Sequence, residues 1–134
     1  MRILVVDDYR THGESLAELL QSRGHEAMYA ERFADAEWLL GLFRFDIAFL
    51  DFDMPGMTGP TIARKIADLY PGVHSVILSA RVPEGARRTE LGDLPFLEKP
   101  VTTAVLFALV ERLERERAGS ALIPRGVFSI KKLE

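Results

Sequence analysis

Short continuous runs of hydrophobic residues recur along the chain, separated by stretches with a different spacing. Runs of this kind, bounded by polar residues, glycine or proline, are typical of strands buried on both faces of a parallel sheet. Four runs are strongly apolar and one, at residues 27–30, is weaker. The pattern therefore predicts strands at residues 3–6, 27–30, 47–50, 75–78 and 96–97.

Between the predicted strands, hydrophobic residues recur every three or four positions, as they do on amphipathic helices. This spacing predicts helices over residues 15–22, 33–43, 61–70 and 103–117. In the second helix, the apolar side is predicted to contain Phe33, Ala36, Leu40 and Phe43, broadened by Trp38 and Leu39. Strands that alternate with helices of about three turns predict a doubly wound parallel sheet of the α/β class.

One segment, residues 81–93, breaks this alternation. It contains Pro83, Gly85, Gly92 and three arginines, and it has almost no apolar periodicity. If a fourth helix forms at this place in the alternation, the composition predicts that it is short or irregular and poorly anchored.

The composition is that of an ordinary globular domain, since 48% of the 134 residues are hydrophobic and 28% are charged. The absence of cysteine excludes disulfides, thiolate metal sites and cysteine nucleophiles. The net charge of −3 argues against nucleic acid as a direct partner. No apolar run approaches the ~20 residues that span a bilayer, and the N-terminus lacks the apolar stretch of a signal peptide.

We therefore expect one soluble, cytoplasmic domain over residues 1–118 that does not bind a membrane. Residues 119–134 are expected to form a tail or the start of a linker, because Pro124 and Gly126 interrupt any continuation of the last helix.

Polar side chains follow the ends of four predicted strands: Asp7 and Asp8, then Asp51, Ser79 and Lys99. In an open α/β sheet, ligands bind beyond the carboxyl ends of the strands. Clustered carboxylates repel one another unless a cation lies among them, and Mg²⁺ is a natural cation for oxygen ligands. A carboxylate can also attack a phosphoryl group, which a hydroxyl and an amine could then stabilise.

Each of these residues also has a plainer interpretation. Asp7 and Asp8 could cap a helix, Ser79 could belong to a turn, and Lys99 could be a solvated surface residue. Their joint placement at four strand ends favours a phosphoryl-aspartate site.

Four motifs carry a resemblance to a known family: residues 3–8 (ILVVDD), 51–59 (DFDMPGMTG), 78–80 (LSA) and 96–100 (FLEKP). In this order and at this spacing, they resemble the receiver domain of response regulators in two-component signalling. The resemblance extends from Met1 to about Arg117. It implies a flavodoxin-like, five-stranded parallel sheet of strand order 2-1-3-4-5.

The resemblance also implies roles for the acidic residues. Asp51 would accept a phosphoryl group from a sensor histidine kinase or a phosphotransfer protein. Asp8 and Asp51 would bind Mg²⁺ (or Mn²⁺) directly, Asp7 would act largely through water, and the backbone carbonyl of Asp53 would complete the protein ligands.

For the remaining site residues, the resemblance implies contact with the phosphoryl group or a part in the switch. Ser79 and Lys99 would contact the phosphoryl group, and Ala80 is small enough to leave room for it. Phe96 matches the family's switch aromatic, which turns inward as Ser79 moves toward the phosphoryl group. An ordinary core ring is the alternative for Phe96. The Lys99–Pro100 peptide would be cis, as it is in the family.

Two features depart from the family pattern or vary within it. The chain has slightly fewer residues between Ser79 and Lys99 than is usual in the family, and the missing residues fall in the irregular segment 81–93. The family uses the fourth helix and its neighbours for partner binding and dimerisation, so this output surface is unusual here and a homodimer is left open. Asp53 and Arg81 occupy variable positions that modulate the rate of dephosphorylation, and a salt bridge between them could slow hydrolysis.

The leading function is thus a phosphorylation switch that acts through protein contacts and is not an enzyme beyond its own phosphorylation and dephosphorylation. A phosphorylation-independent pseudo-receiver that binds partners is one alternative. A Mg²⁺-dependent phosphatase of the haloacid dehalogenase type, with Asp51 as nucleophile and Asp53 as acid, is another. The chain could also be a fragment of a larger regulator or of a hybrid kinase.

Overall fold

The computed structural model describes residues 1–119 and contains five strands and five helices in strict alternation. The strands are β1 (Arg2–Val6), β2 (Glu26–Ala30), β3 (Ile47–Asp51), β4 (His74–Ser79) and β5 (Phe96–Glu98). The helices are α1 (Arg10–Gln21), α2 (Phe33–Leu42), α3 (Gly59–Leu69), α4 (Ala86–Leu91) and α5 (Thr103–Ala118). All strand pairs are parallel and the order is β2-β1-β3-β4-β5, which confirms the predicted fold class and topology.

Helices cover both faces of the sheet, which explains why its strands are continuously apolar. In β1, Ile3 and Val5 pack into a cluster with α1 and α5, whereas Leu4 and Val6 pack into a second cluster with α2, α3 and α4. Successive side chains of a strand point to opposite faces, so a strand covered on both faces needs no polar positions.

Helix α1 begins at Arg10, five residues before the start predicted from periodicity. Its first turn carries Arg10, Thr11 and His12, which are all exposed, so the hydrophobic pattern gave no signal there. The buried stripe of the helix begins instead with Gly13 and continues with Ala17 and Leu20.

The prediction that Trp38 broadens the buried side of α2 is wrong. Trp38 is 68% exposed, and Phe43, just after the helix, is also exposed at 37%. The buried residues of α2 are Ala36 and Leu40. Trp38 is two residues on from Ala36, about 200° around the helix, and therefore faces away from the sheet.

The fourth helix is short, as the composition of residues 81–93 predicted. Helix α4 has six residues and lies between Gly85 and Gly92, whose φ angles are 57° and 60°. Both angles lie in the left-handed region that favours glycine. Leu91 is its buried residue.

Within residues 1–119, no helix combines the length and apolar character that crossing a membrane requires.

We predict that Gly59→Ala lowers the free energy of unfolding by about 1–3 kcal/mol. A Cβ atom at Gly59 would lie 2.4 Å from the backbone oxygen of Asp51 and 3.2 Å from the Cα of Phe52. Both neighbours are backbone atoms, so the start of α3 would have to move away from β3. Chemical denaturation measures the change.

Gly41→Ala is the matched control, because Gly41 lies in α2 and a Cβ there would meet no atom within 4 Å. Alanine is the better helix former, so this variant should be as stable as the parent or up to ~1 kcal/mol more stable. Equal effects of the two substitutions would contradict the prediction.

Candidate functional site

The carboxyl edge of the sheet brings the acidic residues together. Asp7 and Asp8 follow β1, and Asp51 is the last residue of β3, the strand paired with β1. Because Val6 lies opposite Leu50, the next residues, Asp7 and Asp51, extend side by side. The carboxylates of Asp7, Asp8 and Asp51 offer oxygen atoms that all lie within 4.8 Å of one another.

The ammonium group of Lys99 bridges two of these carboxylates. Its Nζ atom lies 2.9 Å from Oδ2 of Asp7 and 3.3 Å from Oδ1 of Asp51. The backbone N–H of Lys99 donates to the carbonyl of Ser79 at 2.7 Å, which continues the pairing of β5 with β4 up to the site. The following peptide bond, Lys99–Pro100, is cis, as the family resemblance implied.

Burial and neighbouring charges shift the pKa values of Asp51 and Lys99. Burial raises the pKa of Asp51 to about 6, with Asp7 and Asp8 adding to the rise and the nearby Lys99 opposing it. For Lys99, burial lowers the pKa, but its hydrogen bond to Asp7 and the charge of Asp51 outweigh that effect and the pKa is raised. The Lys99 ammonium is therefore held charged.

The donor set of the cluster fits a hard divalent cation. Asp7 and Asp51 are buried and Asp8 is exposed. A cation among the three carboxylates would therefore be reached by water from the side of Asp8. Mg²⁺ combines one or two protein carboxylates with water and phosphate oxygens. The residues present therefore suit Mg²⁺, or Mn²⁺ with the same ligand preference.

The other predicted site residues lie on β4, β5 and the loops that follow them. Ser79 is buried at the end of β4, one residue past the Leu78–Asp51 pair, and its hydroxyl donates to the carbonyl of Arg81 at 2.5 Å. Ala80 is the exposed residue that follows. Phe96 begins β5 and packs, partly buried, against the cluster formed with α2, α3 and α4.

Asp53 forms its ion pair with Arg87 instead of with Arg81. The guanidinium of Arg87 donates two hydrogen bonds to the Asp53 carboxylate, at 2.7 Å and 3.2 Å. The hydrogen bond from Arg87 lowers the pKa of Asp53. Helix α4 brings Arg87 back to the loop after β3, and no spacing in the sequence indicated that contact.

Sequence reasoning also missed Tyr29, which fixes the backbone of Asp7. The Tyr29 hydroxyl donates to the carbonyl of Asp7 at 2.6 Å. Its ring occupies the space beside Gly13, where a Cβ would lie 2.0 Å from a ring carbon. The N–H of Tyr9 donates to Oδ1 of Asp7 at 2.9 Å, so both the backbone and the side chain of Asp7 are held.

We predict that Asp51→Asn stabilises the metal-free protein at about pH 7.5 by about 1–2 kcal/mol. The folded protein raises the pKa of Asp51 above its ordinary value of 3.8, to about 6. This carboxyl group therefore stabilises the folded state at low pH, and that contribution is lost as pH rises through about 6. Asparagine removes the charge, so its advantage should vanish by about pH 4.

Urea denaturation in the presence of a chelator at both pH values measures this difference. The exposed Asp8, changed to Asn, is the control and should alter stability less. A destabilised Asp51→Asn protein at about pH 7.5 would contradict the raised pKa of Asp51.

We predict that Tyr29→Phe lowers the free energy of unfolding by about 1 kcal/mol and weakens Mg²⁺ binding severalfold. The substitution leaves the carbonyl of Asp7 without its hydroxyl donor, and Asp7 is 1% exposed. Calorimetric Mg²⁺ titration and chemical denaturation measure the two effects.

Tyr70→Phe is the control, because the Tyr70 hydroxyl makes no hydrogen bond within residues 1–119. Equal Mg²⁺ affinity of the Tyr29→Phe and parent proteins would show that the hydroxyl does not position Asp7.

Comparison with known proteins places the chain in a family. The family model of the response regulator receiver domain matches residues 3–111. A response regulator receiver protein of Anaeromyxobacter sp. strain Fw109-5 is 38% identical over 104 residues, which are 75% of this chain and 43% of that protein. The chain thus spans less than half the length of this relative.

Solved structures share the fold. A two-component response regulator from Clostridium difficile has a TM-score of 0.77 at 21% identity and covers 87% of this chain and 98% of its own. The response regulator protein TrrA from Thermotoga maritima, in complex with Mg²⁺ and BeF, has a TM-score of 0.71 at 29% identity, with coverage of 84% and 97%. Since the family model matches most of the chain, this protein belongs to the response regulator receiver domains.

Proposed function

We propose that this receiver domain is a phosphorylation switch in which Asp51 accepts a phosphoryl group from a sensor histidine kinase or a phosphotransfer protein. One observation carries the proposal: the Lys99 ammonium lies 3.3 Å from the Asp51 carboxylate, inside a cluster of three carboxylates. A buried carboxylate with a cation beside it is arranged to become an acyl phosphate, because the cation can stabilise the added phosphoryl oxygens.

In the transfer step, a carboxylate oxygen of Asp51 attacks phosphorus. The bond from phosphorus to the donor atom breaks, and the leaving group keeps the electron pair. Lys99, held by Asp7 at 2.9 Å, contacts the phosphoryl oxygens as charge builds on them.

The metal ligands would be Asp8 and Asp51 directly, Asp7 through water, and the backbone carbonyl of Asp53. When bound, Mg²⁺ or Mn²⁺ neutralises the carboxylates and orients the phosphoryl oxygens. TrrA, which resembles this chain at 29% identity, is a structure in complex with Mg²⁺ and BeF, and this supports Mg²⁺ as the ion.

The conformational response would start at Ser79. Its hydroxyl, which donates to the Arg81 carbonyl, would turn to a phosphoryl oxygen, and the small side chain of Ala80 leaves space for that group. The partly buried ring of Phe96 would then move inward. Hydrolysis ends the signal, and Asp53 and Arg81 would modulate its rate.

Receiver domains are signalling modules rather than enzymes in the ordinary sense, and we propose that this one acts in the cytoplasm through protein–protein contacts. Residues 1–118 would form the module, and 119–134 a tail or the start of a linker, most of which lies outside the described residues. The downstream partner would be a protein, rather than nucleic acid or a membrane, and homodimerisation is open. The short helix α4 favours one second candidate, a pseudo-receiver that binds partners without phosphorylation.

The direct test is the intact mass of the protein after incubation with Mg²⁺ and acetyl phosphate. We predict that the parent protein gains a single phosphoryl group and that Asp51→Asn gains none. Lys99→Gln should slow incorporation by roughly 10–100-fold, because it removes the positive charge beside the attacking carboxylate.

Two outcomes would contradict this function. A folded parent protein that gains no phosphoryl group would favour the pseudo-receiver. Continued release of phosphate from a small ester, far beyond one turnover per protein, would favour a phosphatase.

A further inference from the structure

Helix α4 is joined to the segment that follows Asp51 by polar contacts. Arg87 forms the bidentate ion pair with Asp53. Glu90 accepts a hydrogen bond from the Thr58 hydroxyl through its carboxylate and another from Arg64 through its backbone carbonyl. These contacts lead to the loop between β3 and α3 and to the first turns of α3, the part of the chain that begins one residue after the phosphorylation site.

Among these residues, Arg87 has a side chain that is held both by hydrogen bonds and by stacking on a ring. Its guanidinium carbon lies 3.9 Å from the centre of the Phe52 ring, and Phe52 is 1% exposed. The Arg87 side chain is 26% exposed, whereas its partner Asp53 is 64% exposed. A planar guanidinium that stacks on a buried ring and grips a carboxylate with two donors cannot be replaced by a simple point charge.

Little else holds the helix in place. It has six residues, Leu91 is its buried side chain, and each end is a glycine with a positive φ angle. A helix this short, attached by one apolar anchor and a few polar contacts, belongs to the part of a fold that opens at low free-energy cost. Its position therefore depends on the loop to which Arg87 attaches it.

We propose that Arg87 is a positioning residue that couples α4 to the phosphorylation state of Asp51 through Asp53 and Phe52, separately from Ser79 and Phe96. The inference rests on the proposed phosphorylation of Asp51. Phe52 and Asp53 follow Asp51 directly, so any rearrangement of the phosphorylated residue is passed along the backbone to both residues that Arg87 contacts.

The direction of the response follows from charge. Arg87 pairs with Asp53 and stacks on Phe52, the two residues that follow Asp51, so its guanidinium lies beside the proposed phosphorylation site. A phosphoryl group carries roughly two negative charges and replaces the single charge of the Asp51 carboxylate, so the site gains about one negative charge. Phosphorylation should therefore hold Arg87 more tightly and reduce the opening of α4.

The test measures hydrogen exchange of the backbone amides of residues 86–92, with saturating Mg²⁺, before and after phosphorylation by acetyl phosphate. In the parent protein we expect phosphorylation to slow this exchange by roughly fivefold. In Arg87→Gln the slowing should fall below about twofold. Each comparison is the ratio of two rates in the same variant, so a loss of basal helix stability does not imitate a loss of coupling.

Three variants sharpen the comparison. Arg88→Gln removes the same charge from the adjacent, exposed position of the same helix and should respond as the parent does. Asp53→Asn leaves the stacking of Arg87 on Phe52 in place and should reduce the response as Arg87→Gln does, which covers the case in which Arg87→Gln unfolds α4. Arg87→Lys keeps the charge without the planar fork and should recover only part of the response.

Intact mass on the same samples gives the phosphoryl occupancy and separates the two proposals. Full occupancy with no slowing in the parent, or an undiminished response in both Arg87→Gln and Asp53→Asn, would overturn the coupling and leave the switch chemistry intact. An equal loss in Arg88→Gln would also overturn it, because general charge would then explain the effect. A parent protein that gains no phosphoryl group would overturn both proposals.

Discussion

One ammonium group partly offsets the negative charge of the carboxylates at the carboxyl edge of this sheet. Lys99 lies between the carboxylates of Asp7 and Asp51, both of which are buried. Burial and the neighbouring carboxylates disfavour the charged form of Asp51 and raise its pKa. The same excess of negative charge suits the cluster to a divalent cation.

The topology of the sheet brings the groups of this contact together. Lys99 is 92 residues from Asp7 along the chain, and only a parallel sheet that places β1, β3, β4 and β5 in adjacent order brings their carboxyl ends together. The site is then fixed by backbone elements rather than by flexible side chains alone. Tyr29, from the outer strand β2, adds the hydrogen bond that holds the backbone of Asp7.

A second ion pair lies on the side of the site near α4. The ion pair of Asp53 with Arg87 connects the loop after Asp51, the proposed phosphorylation site, to a helix that has few other attachments. Helix α4 has six residues and one buried side chain, Leu91, so its polar contacts with the segment after β3 make up much of its attachment. The short fourth helix, which departs from the family pattern, is thus attached by this ion pair to the loop after Asp51.

The strands, the fold class and the residues at the carboxyl edge could be predicted from the sequence, because burial on both faces leaves continuous apolar runs and because Asp7, Asp51, Ser79 and Lys99 follow those runs directly. Local composition also indicated a short fourth helix. The start of α1 could not be found this way, since its first turn buries no large side chain.

Only the tertiary structure decided which charges meet. The sequence suggests Arg81 as the partner of Asp53, whereas the packing of α4 against the loop after β3 selects Arg87. The exposure of Trp38 was likewise settled by which side of α2 faces the sheet. Hydrophobic periodicity reports how much of an element is buried, whereas the partner of a polar group depends on where distant elements come to rest, which no local pattern encodes.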